Sequence, residues 1–292
     1  MRISFFSVFF LFFLLPLCLF SSCAKPNAAG SSTIQTAGGS ESPVKIPDDD
    51  ANNLLADVLR RTEIPEDISR TIIGAAAGNP AFVLELLMCL EGDPYLRMLV
   101  DKSHPLPSGY EPGDLVELGS ARATGTGAAG ASSYRVSREG LMLRRAASDS
   151  LAEMAAAARA DGVTLTVSSA YRSYDYQEQV YSRNVREMGR EAADRESARP
   201  GFSQHQSGLV VDFGPIDNSF AEISAGKWMA NNASRFGWSL SYPAGYEEVT
   251  GYIWESWHYR YTGSDLARFI DDYFNGIQQY ALRFIFEWEN LE

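Results

Sequence analysis

Apolar residues recur at helical spacing early in the chain: Leu54, Leu55, Val58 and Leu59, then Ile68, Ile72 and Ile73, then Phe82, Leu86 and Leu90. That spacing predicts amphipathic helices over 51–100. Asn79-Pro80 opens the last of them, because proline is tolerated in a first turn. From Leu99 to Val116, Pro105, Pro107, Pro112, Gly109 and Gly113 predict an extended segment that wraps a surface. Residues 119–133 are rich in Gly, Ala and Ser and read as a loop. The second half mixes both periods. Leu143–Arg159 reads as an Ala-rich helix, Asp161-Gly162 as a turn, Val163–Ser168 as a β-branched strand and Asp175–Met188 as a helix. A polar loop follows at 190–204, then a strand from Gly208 to Phe213 and a helix from Ala225 to Phe236 ended by Gly237. Trp238–Tyr242 and Trp257–Tyr261 read as aromatic-rich strands, and Ser264 as the cap of one long final helix running to about Glu289. The pattern is that of an α+β fold.

The extreme N-terminus has a different logic. Arg2 precedes an apolar run from Phe5 to Phe20, shorter than the roughly 20 residues that span a bilayer as a helix. A positive start, a short apolar stretch and Ser21-Ser22 before Cys23 read as a secretory signal. A Cys directly after small residues resembles the lipobox of bacterial lipoproteins, in which Cys23 would be acylated. Residues 24–50 bury too little to order themselves and read as a tether. The expected location is outside the cell membrane, anchored to it by the lipid.

Composition narrows the chemistry. The 292 residues carry a net charge of −12, which argues against a general nucleic-acid binder. Three Cys cannot build a disulfide framework, and Cys89, in an apolar run, reads as a buried inert thiol. With three His in the chain, a motif that uses two of them is informative. His104, before Pro105, reads as a loop residue. His205 lies on a loop just before a strand that carries Asp212, a carboxylate among apolar neighbours that needs a cation, a metal or strong donors. Glu255-Ser-Trp-His258 adds a second His and a second carboxylate. Two His and one Asp suffice as protein ligands of a catalytic zinc, and a neighbouring non-ligating Glu is a general base for water. Spacing alone leaves another reading open, in which Asp212 pairs with an Arg and both His are ordinary core or surface residues. Arg172 follows a strand and can reach a shared cleft to stabilise an oxyanion, or can pair with Asp175 or Glu178.

Three stretches now carry a resemblance: Tyr171-Arg172-Ser173-Tyr174 with Gln177, Ser203-x-His205-x-x-Gly208-x-x-x-Asp212, and Glu255-x-Trp257-His258-Tyr259-Arg260-Tyr261. They are similar to the VanY-type D-alanyl-D-alanine carboxypeptidases, zinc peptidases of the hedgehog/DD-peptidase fold. The resemblance implies that fold: a small antiparallel sheet flanked by helices, here preceded by a helical segment. It implies one zinc ion on His205, Asp212 and His258, Glu255 as the water-activating base and Arg172 on the scissile carbonyl. Gln177 and Ser203 match positions that bind the substrate's C-terminal end, and Tyr242 matches a pocket-lining aromatic. Ser256, Val210 and Ser241 depart from the residues usual there, and none of these changes removes a ligand or the base. The implied organisation is a signal with Cys23 at 1–23, a tether at 24–50, a helical segment at 51–96, the carboxypeptidase-like domain at 97–275 and a helical extension at 276–292. The implied partner is a peptidoglycan stem peptide from which D-alanine is removed. The alternatives are an L,D-carboxypeptidase acting on the tetrapeptide with the same residues, and a catalytically silent cell-wall-binding module of the same fold.

Overall fold

The computed structural model describes residue 55 and residues 57–76, 80–119 and 133–290. The signal-like run, Cys23, the tether and most of the Gly/Ala/Ser stretch lie outside the described residues. Residues 57–61 are helical, and helices α1 (Glu66–Ala76) and α2 (Pro80–Glu91) follow. A two-stranded antiparallel sheet joins β1 (Leu115–Glu117) to β3 (Met142–Arg144). The main sheet orders β2 (Arg135–Val136), β4 (Thr166–Ser169), β5 (Val210–Phe213), β7 (His258–Tyr261) and β6 (Trp238–Leu240). It is antiparallel except at its edge, where β2 runs parallel to β4.

The central strand β5 is buried on both faces, and its alternation sorts the two. Leu209, Val211 and Phe213 enter a core with Leu151, Met154, Ala155 and Ala158 of α3 (Arg145–Ala160) and Met229 of α6 (Ser224–Asn232). Full burial of each large side chain there contributes about 1.5–3 kcal/mol. Val210 and Asp212 take the opposite face. Between these elements run α4 (Tyr174–Met188) and α5 (Arg190–Glu196), with α7 (Glu247–Thr250) just before β7.

A second core explains the apolar periodicity at the N-terminus. Val58, Ile68, Ile72, Phe82 and Leu86 pack with Phe269, Ile270 and Phe274 of α8 (Ser264–Phe274) and with Phe284 and Ile285 of α9 (Gln278–Glu289). The first and last helical segments therefore meet around α8.

The structure corrects several expected elements. The single long final helix is two helices. Asn275 and Gly276 take φ of +53° and +74°, the left-handed region that these two residue types tolerate, and the turn folds α9 back on α8. Phe274 and Phe284 then sit 5.6 Å apart across the turn. Ser264 is the first helical residue rather than a side-chain cap, and Gly263 precedes it. The polar stretch 190–204 contains α5, whose seven residues bury only Ala193 and so show no apolar period. Leu143 belongs to β3, and β5 starts at Val210 because Gly208 is left-handed.

Candidate active site

Strand register places three polar residues in a row across the sheet. Ser169 of β4 faces Asp212 of β5, and Asp212 faces His258 of β7. Antiparallel neighbours on one face put side chains within reach of one another. His205 arrives from outside the sheet, on a short 3-10 turn (Gln204–Ser207) whose N-cap, Ser203, accepts a hydrogen bond from the His205 N–H at 3.3 Å. The turn closes on Gly208 at φ +73°, where a Cβ would stand 2.9 Å from Arg144 Cγ and 3.1 Å from Leu115. Only glycine lets the chain swing from His205 into β5 that closely.

The result is a buried cluster in which one ligand atom each of His205, Asp212 and His258 lies within 4.8 Å of the others. Both rings are turned by their outer hydrogen bonds. His205 Nδ1 is 2.6 Å from the Ala170 carbonyl, so it carries the proton, and Nε2 faces Asp212 Oδ2 at 3.1 Å. His258 turns Nε2 to Gln204 Oε1 at 3.4 Å and Nδ1 to Asp212 Oδ1 at 3.1 Å. Despite that distance Oδ1 makes no hydrogen bond, the relation expected of donor atoms that converge on one point rather than on each other. Two imidazoles and a carboxylate are a donor set that fits zinc, with a position left for water.

Electrostatics agree with that use. Burial and the Arg172 charge push His205 down to about 4, so its ring is neutral at pH 7. Burial alone would raise Asp212, but the Arg172 guanidinium at its Oδ2 holds it well below the usual carboxylate range. Burial also opposes a charge on His258, yet the carboxylates of Asp212 and Glu255 bring it up to about 9. The pocket thus attracts positive charge at that ring. Glu255 Oε2 stands 3.2 Å from His258 Nδ1, and burial raises its pKa against the pull of His258.

The other expected residues assemble around the cluster. Arg172 is held three ways: Nε donates to Ser169 Oγ at 3.0 Å, Nη1 to Gln177 Oε1 at 3.4 Å, and Nη2 to Asp212 Oδ2 at 2.5 Å. Its partner is therefore Asp212, not Asp175 or Glu178. Gln177 also donates to the Ala198 carbonyl at 2.8 Å, so its amide builds the wall and fixes Arg172. Ser203 accepts from His205 N–H and keeps its own proton to donate. Tyr242 lies buried with its ring 4.6 Å from that of His258 and 4.9 Å from that of Tyr252. Arg172, Gln177, Ser203 and Tyr242 line one cleft of about 240 Å³ together with the cluster and Glu255. His104 stays apart, 2.8 Å from Asp101.

Sequence reasoning missed the supports. Ser169, Gln204 and Gln278 each hold a site residue or its holder, and Tyr252 and Trp257 line the cleft. The available signals were slight: polar residues at the end of a strand, beside a His, and in an apolar helix.

The VanY family model, described as D-alanyl-D-alanine carboxypeptidase, matches residues 140–264, a span that holds the whole cluster. The chain is 34% identical over 184 residues to the putative carboxypeptidase YodJ of Bacillus subtilis, covering 60% of this chain and 62% of that one. It is 30% identical over 227 residues to a D-alanyl-D-alanine carboxypeptidase of Enterococcus faecalis, covering 73% of this chain and 77% of that one. Among solved structures, the LdcB LD-carboxypeptidase is 33% identical with a TM-score of 0.52, over 61% of this chain and 85% of LdcB. A variant of the vancomycin-resistance D,D-pentapeptidase VanY in complex with Zn(II) is 30% identical with a TM-score of 0.50, over 64% and 98%. With three quarters of the Enterococcus faecalis enzyme matched, and the family model spanning every member of the cluster, this chain belongs to the VanY family of D-alanyl-D-alanine carboxypeptidases.

Proposed function

We propose that the protein is a zinc carboxypeptidase that removes the C-terminal D-alanine from peptidoglycan stem peptides, a D,D-carboxypeptidase. One observation carries this reading: His205, Asp212 and His258 converge in a cleft, with the Glu255 carboxylate 3.2 Å from the inward nitrogen of His258. His205, Asp212 and His258 would hold a zinc ion, which would supply a Lewis acid for water and for the scissile carbonyl.

The chain's own groups do the rest. Glu255 takes a proton from the attacking water as its oxygen bonds to the scissile carbonyl carbon. It returns that proton to the alanine nitrogen as the C–N bond breaks. Burial raises the pKa of Glu255, so its carboxylate is a stronger base toward water and holds the proton until the departing alanine nitrogen, a stronger base still, accepts it. Arg172 stabilises the negative charge that develops on the carbonyl oxygen, and its three anchors mean that little reorganisation is needed at that moment. The Ser203 hydroxyl donates to the free carboxylate of the terminal alanine. Gln177 keeps Arg172 in place, and Tyr242 walls the pocket.

The L,D-carboxypeptidase alternative uses the same catalytic residues on the tetrapeptide, and the likeness to LdcB is the observation in its favour. A silent binding module has no such support, because the base and all three candidate ligands are present. The test is incubation of the zinc-loaded protein with pentapeptide and, separately, tetrapeptide muropeptides, with products read by mass and Glu255→Ala as control. Loss of one alanine from the pentapeptide alone is expected. Loss from the tetrapeptide alone moves the protein to the L,D class, and loss from neither, with zinc bound, overturns the carboxypeptidase reading.

The signal-like run before Cys23 supports export and lipid anchoring, which would place the enzyme on the membrane facing the cell wall. A net charge of −12 gives no attraction to anionic headgroups, so the anchor would be the lipid. Fractionation is expected to find the parent on membranes and Cys23→Ala released. A parent chain that is freely soluble overturns this.

A further inference from the structure

The C-terminal helix reaches the cluster through a chain of buried amides with one polarity. Gln278, in the first turn of α9, donates from Nε2 to the Ser239 carbonyl of β6 at 3.3 Å. Its Oε1 is then the atom that faces Gln204, whose Nε2 donates to it at 3.4 Å. Gln204 Oε1 in turn faces His258 Nε2 at 3.4 Å and accepts from Ser241 Oγ at 2.8 Å. Gln204 and Gln278 are 2% and 1% exposed, so water does not compete for these bonds.

Direction matters here more than strength. A backbone carbonyl can only accept, so Ser239 fixes which way the Gln278 amide points. Gln278 then fixes Gln204, and Gln204 offers His258 an acceptor. An acceptor at Nε2 demands an N–H there, which leaves the lone pair of a neutral ring on Nδ1. Nδ1 is the nitrogen turned toward Asp212 and Glu255. His205 receives the same instruction from a backbone carbonyl directly, that of Ala170.

We propose that Gln278, acting through Gln204, is a positioning residue that sets the tautomer of His258 and so presents Nδ1 to the metal, which makes α9 part of the metal site. This rests on the zinc reading of the cluster. Outer hydrogen bonds of ligating histidines typically change metal affinity by about 10–100-fold when removed. Loss of Gln278 leaves the Gln204 amide oriented only by the Ser241 hydroxyl, which can donate or accept, so the amide can turn over and offer NH₂ to His258 Nε2, favouring the wrong tautomer. Replacing Gln204 by Glu removes that freedom, because a carboxylate accepts from His258 whatever stands at 278.

The test is zinc affinity by chelator competition in four proteins: parent, Gln278→Leu, Gln204→Glu and the double variant. Circular dichroism and melting of the metal-free forms check the fold, and Gln278→Met serves as a second variant should the Leu form not fold. The expected result is an affinity loss of about 10–100-fold for Gln278→Leu that shrinks to less than about threefold in the Gln204→Glu background. In zinc-loaded protein the ring nitrogens read by ¹⁵N NMR should show a slowly exchanging Nε2–H on His258 in the parent and a broadened one in Gln278→Leu. Parent-like affinity and an unchanged Nε2–H in a folded Gln278 variant overturn the relay alone. A parent that binds no zinc, or binds it with His258→Ala unaffected, overturns the metal reading and the relay with it.

Discussion

Arg172 Nη2 lies 2.5 Å from Asp212 Oδ2, so the guanidinium expected to steady an oxyanion leans on a carboxylate expected to hold the metal. Register makes this contact possible: Ser169 and Asp212 are cross-strand partners, and Arg172 spans both. A lysine offers one ammonium on a flexible stem and cannot reproduce the fork. Arg172→Lys is expected to lower kcat on the pentapeptide by about 100–1,000-fold, the cost of losing an oriented oxyanion donor. Zinc content should stay near that of the parent. Turnover within about tenfold of the parent would remove Arg172 from this role.

In the proposed mechanism function rather than distance separates Glu255 from the ligands, since its Oε2 is as near His258 Nδ1 as Asp212 Oδ1 is. Glu255→Gln keeps the shape and removes the proton acceptor. We expect kcat to fall by about 100–10,000-fold with one zinc still bound. Metal analysis of the purified variant decides between base and ligand: loss of the zinc along with activity would make Glu255 a fourth ligand.

What the sequence made legible was the cluster itself. Asp212 stood out because a carboxylate in an apolar strand needs a partner, and two of three His lay in short motifs, His205 with Asp212 and His258 with Glu255. The strand itself was legible as well, and its alternate residues Leu209, Val211 and Phe213 fill the core. The supports were not legible, because their partners are remote in the chain. Gln278 meets Gln204 across 74 residues and Arg260 donates to the carbonyls of Leu96 and Met98 across more than 160. Local pattern carries no trace of such pairings. The break at Asn275 was missed for a different reason: apolar periodicity continues on both sides of it, and a two-residue left-handed turn hardly disturbs the count.

Asp101 fastens the wrapping segment to the C-terminal helix. Oδ1 accepts from the N–H groups of Ser103 and His104 at 2.8 and 3.0 Å, and Oδ2 accepts from Gln279 Nε2 at 2.7 Å. Burial would raise its pKa, but these donors and His104 hold it below the usual value. A depressed folded pKa contributes stability above the unfolded value of about 3.9, and that stability is lost as pH falls through and below it. Asp101→Asn is therefore expected to cost about 1–3 kcal/mol at pH 7, the scale for a buried charged hydrogen-bonding group. The gap to the parent should narrow in urea melts below about pH 4. A gap that stays constant with pH would show that the charge contributes nothing.

Cys89 tests the second core. Its thiol is buried on α2, and burial, reinforced by the carboxylates of Asp265 and Glu85, outweighs Arg268 and Arg97 and pushes its pKa up to about 12 from 9.0. The thiolate is the nucleophile, so reactivity falls as the pKa rises. At pH 8 the ionised fraction should be about one ten-thousandth in the folded chain and about a tenth once unfolded, on ordinary titration arithmetic. Iodoacetamide labelling read at the Cys89 peptide should accordingly be about 1,000-fold slower in native protein than in urea. Rapid native labelling at an unchanged melting temperature would mean that α2 opens from α8 without global unfolding, and that the helices at 51–96 are docked more loosely than their packing against Phe269 implies.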